Sequence, residues 1–78
     1  MTTATVSSRR TNGAAVRVIR EALGIRGYDL AARAKISAPF LSRIEQGARQ
    51  PSAKVMVDIA TGLGVPLEAI TYPTHPAL

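Results

Sequence analysis

The stretch Leu23–Ser52, LGIRGYDLAARAKISAPFLSRIEQGARQPS, decides the fold of this 78-residue chain. Tyr28–Ala34 carries leucine and alanine at helical spacing. Ser37 then precedes a segment whose second residue is Pro39, and serine before a proline-tolerant first turn is typical of a helix start. The stretch therefore predicts two short helices, Tyr28–Ala34 and Ala38–Gln46, joined by about three residues.

Helical signals flank this pair on both sides. Apolar residues recur at spacings of three and four from Ala14 onward, Ser52 caps a further periodic segment, and Pro66 opens a short fifth turn. We find no strand pattern, so the sequence predicts an all-α fold, a compact bundle of four to five helices. We expect a flexible basic arm over residues 1–12, a folded domain over 13–71 and a tail over 72–78.

The composition excludes several classes of function. The chain has no cysteine and a single histidine, His75, and it offers no paired carboxylates and no nucleophile beside a base. We therefore expect no enzyme activity, no metal and no cofactor. The apolar runs are too short to cross a membrane, and the N-terminus lacks the apolar core of a signal peptide, which favours a cytoplasmic protein.

The basic residues lie in the first two thirds of the chain. Residues 1–54 carry all ten lysines and arginines with three acidic residues, a net charge of +7, whereas residues 55–78 carry a net charge of −2. Such an excess can serve solubility alone. A polyanionic partner, nucleic acid before membrane, is the stronger interpretation.

Two helices joined by so short a turn have the spacing of a helix-turn-helix, whose second helix enters the DNA major groove. Any three-helix bundle can produce that spacing, but the residues within it are more specific. They resemble the phage repressor/Cro-type family, also called XRE-type, with its pattern L-A-x-x-A/L-G-V-S, I/L-S-x-I/W-E-x-G and x-x-P-S. The matching residues are Leu30-Ala31, Ala34, Ile36-Ser37, Leu41-Ser42, Ile44-Glu45, Gly47 and Pro51-Ser52.

The resemblance covers roughly residues 14–70 and implies a lambda-repressor-like fold. It implies a bacterial or phage-encoded, nucleoid-associated regulator of transcription, a repressor first, that binds double-stranded DNA through the recognition helix Ala38–Gln46. One small domain rarely buries enough DNA surface, so we expect a homodimer on a pseudo-palindromic operator. The expected dimer contact is the C-terminal third, through Val65, Leu67, Ile70 and Tyr72. The alternative is an antitoxin-like or anti-repressor-like module that uses the same fold to bind a protein.

The recognition helix and its cap supply the candidate base contacts, which are Ser37, Ala38, Pro39, Ser42 and Arg43. Arg43 is the main candidate because arginine to guanine is the commonest specific contact; its alternatives are a phosphate contact or a solvated side chain. Ala38 and Pro39 stand where many members of the family have polar residues, and they can make only apolar contacts, for example with a thymine methyl group.

The candidate phosphate contacts are Arg26, Gly27, Tyr28, Gln46, Arg49 and Lys54, with a solvated side chain as the alternative for each cation. Gly27 stands where the family often has glutamine, so only backbone N–H groups remain there. Arg9 and Arg10 would reach a minor groove or form an unengaged tail. Phe40 would pack in the core or lie beside the DNA.

Arg20 and Glu45 are interpreted as a structural ion pair. In similar proteins an arginine at the position of Arg20 pairs with the glutamate of the L-S-x-I-E run. Such a pair would lock the first helix against the recognition helix, and we expect it to be partly buried.

Overall fold

The structure, a computed structural model, describes residues 9–73. Its helices are α1 (Gly13–Ala22), α2 (Gly27–Ala34), α3 (Ala38–Glu45) and α4 (Ala53–Leu63), followed by a 3-10 turn at Leu67–Ile70. The prediction of a bundle of four to five helices is confirmed, and α2 and α3 each lie within one residue of the bounds expected for them.

A two-stranded antiparallel sheet, which was not predicted from the sequence, joins the two ends of this domain. β1 (Arg9–Thr11) pairs with β2 (Thr71–Pro73). The sequence placed residues 9–11 in the expected arm and residues 72–73 in the expected tail, whereas the structure pairs residues 9–11 with residues 71–73. The remainder of the expected arm and tail, including His75, lies outside the described residues.

The helix ends follow from local chemistry. Asn12, Ser37 and Ser52 each accept a backbone N–H from the first turn of the helix that follows, so each satisfies a donor that has no partner within its helix. α4 ends at Gly64, which adopts the left-handed conformation with φ +74°. α2 ends at Lys35, which adopts the same conformation with φ +60° although it carries a side chain.

The core lies where α2 packs against α3 and α4, with α1 and the 3-10 turn closing it. Its buried apolar residues are Val16, Leu30, Ala31, Ala34, Leu41, Ile44, Met56, Ile59, Ala60, Leu63, Leu67 and Ile70. Leu67 and Ile70 were expected at a dimer contact and instead fill the core of their own chain. Of the other two residues of that expected contact, Val65 is half-buried and only Tyr72 is exposed.

The start of α1 rests directly on the end of α3. A Cβ atom at Gly13 would lie 2.1 Å from the carbonyl oxygen of Ile44 and 2.8 Å from that of Glu45. Both oxygens belong to backbone and cannot turn away as a flexible side chain can. Gly13 is therefore required for the close approach of the two helices.

We predict that Gly13→Ala destabilises the protein by about 1–3 kcal/mol, because the new methyl group forces α1 away from α3. Thermal or urea unfolding measures this loss. Gly27→Ala is the matched control, since a Cβ atom there would meet only the Arg20 Cζ, at 4.0 Å. Equal stability of the two variants would contradict the backbone contact.

Candidate nucleic-acid interface

α2 and α3 form a compact pair joined by residues 35–37. Ala31 of α2 is only 2% exposed, and Ile36 in the turn is half-buried against the core. Leu41 and Ile44 hold the inner face of α3 in the core, each 1% exposed. This packing fixes α3 along one side and leaves its opposite side in contact with solvent.

All five candidate base-contact residues are exposed on or beside that outer side. The hydroxyl of Ser37 accepts the N–H of Phe40 at 3.1 Å, and the hydroxyl of Ser42 accepts the side-chain amide of Gln46 at 3.1 Å. Ala38 and Pro39 carry no polar side-chain atom. Within residues 9–73, no hydrogen bond or ion pair engages the guanidinium of Arg43, so all of its N–H donors are available to a partner.

The start of α2 brings three candidate phosphate-contact residues together. Arg26 donates a hydrogen bond to the Tyr28 hydroxyl, and its guanidinium lies 5.8 Å from the centroid of that ring. No side chain caps the first turn of α2, which begins at Gly27. The backbone N–H groups of that turn and the Arg26 guanidinium therefore form a positive surface beside α3.

The other three candidates lie after α3. Gln46 bonds to Ser42, as described above, and Arg49 places its guanidinium 5.7 Å from the centroid of the Phe40 ring. Lys54 forms an ion pair with Asp58 at 2.9 Å, one helical turn further along α4. Lys54 is thus partly neutralised, whereas Arg49 keeps its full charge.

The structure contradicts a flexible arm at Arg9 and Arg10. Nε of Arg9 donates to the Thr71 hydroxyl at 2.6 Å, and Nη2 donates to the Thr71 carbonyl oxygen at 3.3 Å. Arg10 is exposed, but its backbone is paired with Tyr72 in the sheet. Strand pairing holds the backbone of both arginines, so a minor-groove contact would have to come from their side chains alone.

The structure brings Arg20 and Glu45 together in a two-point ion pair. Nε and Nη2 of Arg20 donate to the two carboxylate oxygens of Glu45 at 2.7 and 3.0 Å, and Nη1 donates to the Ile25 carbonyl oxygen at 3.0 Å. The side chains of Arg20 and Glu45 are only 14% and 8% exposed. The hydrogen bonds to Glu45 raise the pKa of Arg20 above its ordinary value, against the opposing effect of burial.

Gln50 is a structural residue of this region that was not predicted from the sequence. The N–H of Thr11 donates to Oε1 of Gln50 at 3.1 Å, and Nε2 of Gln50 donates back to the Thr11 carbonyl oxygen at 3.5 Å. The side-chain amide thus satisfies the backbone N–H and the carbonyl oxygen of Thr11, as a neighbouring strand would, and it links β1 to the loop after α3. The partners are 39 residues apart, so no local pattern signals the contact.

The sequence model of a helix-turn-helix family, HTH_3, matches residues 16–70, from α1 through the 3-10 turn. The chain belongs to the XRE-type helix-turn-helix family. The expectation drawn from its sequence motifs is confirmed.

Two relatives illustrate this membership. The chain is 41% identical over 59 residues to an uncharacterized HTH-type transcriptional regulator of Mycobacterium tuberculosis. It is 36% identical over 50 residues to the HTH-type transcriptional regulator DdrOP3 of Deinococcus deserti. The aligned regions cover 76% and 64% of this chain but 23% and 39% of the relatives. The chain therefore spans less than half the length of either relative.

Solved structures share the fold. The clp gene regulator ClgR of Corynebacterium glutamicum superposes with a TM-score of 0.70 at 28% identity, covering 72% of this chain and 60% of ClgR. The restriction-modification controller protein C.AhdI of Aeromonas hydrophila superposes with a TM-score of 0.72 at 23% identity, covering 85% and 96%. These structures thus share the helical fold over most of the chain.

Two further observations concern residues 9–73 alone. No helix there is long and apolar enough to cross a membrane. The same residues bring together no group of three histidine, cysteine, aspartate or glutamate side chains that could hold a metal ion.

We predict that Arg20→Met lowers the free energy of unfolding by about 3 kcal/mol, because Glu45 is left buried without its cation. The double variant Arg20→Met with Glu45→Met should recover much of this loss, since it leaves no unpaired charge. Denaturant unfolding measures both. Arg17→Met is the control, because Arg17 and Glu21 form an exposed pair, with side chains 61% and 55% exposed, and its loss should change little. A single variant as stable as the wild type would contradict the role of the buried pair.

Proposed function

We propose that this protein regulates transcription by binding double-stranded DNA sequence-specifically, with α3 in the major groove. The observation that carries the proposal is that α3 packs on one side only. Leu41 and Ile44 are buried, and Arg43 is exposed on the opposite side. A helix held in this way can enter the groove as a rigid body. Membership of the XRE-type family and the regulators named among its relatives support the same function.

In this proposal the contacts divide by role. Arg26, Arg49 and the first-turn N–H groups of α2 bind phosphates and set the register on the duplex. Arg43 and the hydroxyl of Ser37 read base edges, while Ala38 and Pro39 meet thymine methyl groups. Lys54 contributes less than Arg49 because Asp58 already pairs with it.

We further propose that the protein acts as a repressor in the cytoplasm, where it occupies a pseudo-palindromic operator as a dimer. The half-sites would lie about one helical turn apart, roughly 34 Å. Because Leu67 and Ile70 belong to the core, the dimer contact would have to use exposed residues. Tyr72 on β2, 47% exposed, is the remaining exposed candidate from the C-terminal third.

A protein-binding module is the second candidate function, and one feature favours it. Val18 in the middle of α1 is 62% exposed, and Leu23, the residue that follows the helix, is 53% exposed. Val18 lies on the opposite side of α1 from buried Val16, away from the core. These apolar side chains belong to α1 and its C-cap, whereas the proposed DNA contacts belong to α2, α3 and the residues that follow α3, so the two functions use different residues.

The first test is the salt dependence of DNA binding. We expect the logarithm of the association constant to fall linearly with the logarithm of salt concentration, with a slope of about −0.9 for each phosphate neutralised. Arg26 and Arg49 together give about −2 per protomer, and Lys54, already paired with Asp58, adds less than one further phosphate. Fluorescence anisotropy with a labelled duplex measures it. Arg33→Gln should leave the slope unchanged, because the Arg33 guanidinium bonds to the Gly62 carbonyl oxygen and has no proposed DNA contact. An affinity that stays flat with salt would refute electrostatic binding.

The second test concerns base discrimination. Arg43→Ala should cost about 1–3 kcal/mol on the preferred duplex and relax the preference at one or two positions per half-site. Arg49→Ala should instead weaken binding to all sequences alike. Competition against single-base variants of the duplex separates these outcomes. A uniform loss for Arg43→Ala would reassign Arg43 to a phosphate.

A further inference from the structure

An arginine–aromatic contact links the two ends of α3. The Phe40 ring belongs to the first turn of this helix, and Arg49 lies in the loop of residues 46–52 that follows it. The guanidinium carbon of Arg49 lies 5.7 Å from the ring centroid, within the range of a cation–π interaction. We propose that Phe40 is a positioning residue for DNA binding, whose ring holds the Arg49 guanidinium beside α3 in the place where it meets a phosphate. The proposal rests on the function proposed above.

The ring of Phe40 is itself firmly held. Its backbone N–H donates to the capping hydroxyl of Ser37 at 3.1 Å, and its side chain is half-buried against the core. Tyr28, which makes a similar contact with Arg26, is 56% exposed and does not pack against the core. Of these two aromatic rings, Phe40 offers the more rigid platform for a cation.

The backbone on both sides of Arg49 is also fixed. Before it, the N–H of Ala48 donates to the Arg43 carbonyl oxygen at 2.9 Å. After it, Gln50 is clamped to Thr11 of β1, and Pro51 is buried. The freedom left to Arg49 is therefore that of its side chain, and ordering a long side chain opposes binding. A ring that orders this side chain in advance removes part of that cost.

The position of this cation matters because of what α3 lacks. Ala38 and Pro39, its first two residues, supply neither charge nor hydrogen-bonding side-chain atoms. The loop after α3 places the Arg49 guanidinium over the ring of Phe40, the residue that follows Pro39. The first turn of α3, which has no charged side chain of its own, thus gains a cation from the loop that follows the helix.

The experiment is a double-mutant cycle on DNA affinity, using a duplex that the wild type binds. Phe40→Leu should weaken binding about two- to five-fold when Arg49 is present and should have no effect in the Arg49→Gln background. Phe40→Tyr keeps the ring and should bind as the wild type does. Phe40→Leu should also retain the wild-type salt slope, since the number of cations is unchanged, whereas Arg49→Gln should reduce the slope by about one.

A second measurement reports the contact without DNA. In the free protein, NMR should show the Arg49 side-chain protons shifted by the ring current of Phe40, with the shift kept in Phe40→Tyr and lost in Phe40→Leu. A loss of affinity from Phe40→Leu that is equal in both Arg49 backgrounds would overturn the proposal, and so would the absence of any loss. A wild type that shows the ring-current shift but binds no duplex at low salt would overturn the proposed function, and the role of Phe40 in it, while leaving the contact itself established.

Discussion

The buried ion pair between Arg20 and Glu45 is the interaction on which the arrangement of this protein depends. One guanidinium binds the last residue of α3 through two hydrogen bonds and the turn before α2 through a third. It therefore fixes α1, α2 and α3 relative to one another. At the other end of α1, Gly13 allows the backbone of α1 to contact the backbone of α3. The orientation of α3, and with it the proposed interface, follows from these two contacts.

The features that the sequence predicted well are local ones. Helix caps such as Ser37 and Ser52 act within one turn, and the apolar spacing that buries Leu41 and Ile44 is set by the helical period. The sheet was missed because three-residue strands are too short to show alternation and pair across some 60 residues of chain. The sequence shows that Leu67 is apolar, but it does not distinguish a residue buried in the core of its own chain from one buried against a second copy of the chain.

The structure also shows which of the basic side chains are available to a partner. Several cations are engaged within residues 9–73: Arg17, Arg20 and Lys54 pair with carboxylates, Arg9 bonds to Thr71, and Arg33 bonds to the Gly62 carbonyl oxygen. The net charge of the first two thirds thus overstates what is available to a partner. Arg26, Arg43 and Arg49 are exposed and have no carboxylate partner among the described residues, and all three lie on or beside the helix pair. A small number of arginines therefore carries the proposed recognition.

Selection of bound duplexes from a random DNA pool tests the central claim most directly. Such a selection works without a defined operator, because the protein itself chooses the sequences that it binds. The account predicts enrichment of one short motif, repeated as inverted half-sites whose centres lie about 10 base pairs apart. A bound pool with no enriched motif would contradict sequence-specific recognition by α3.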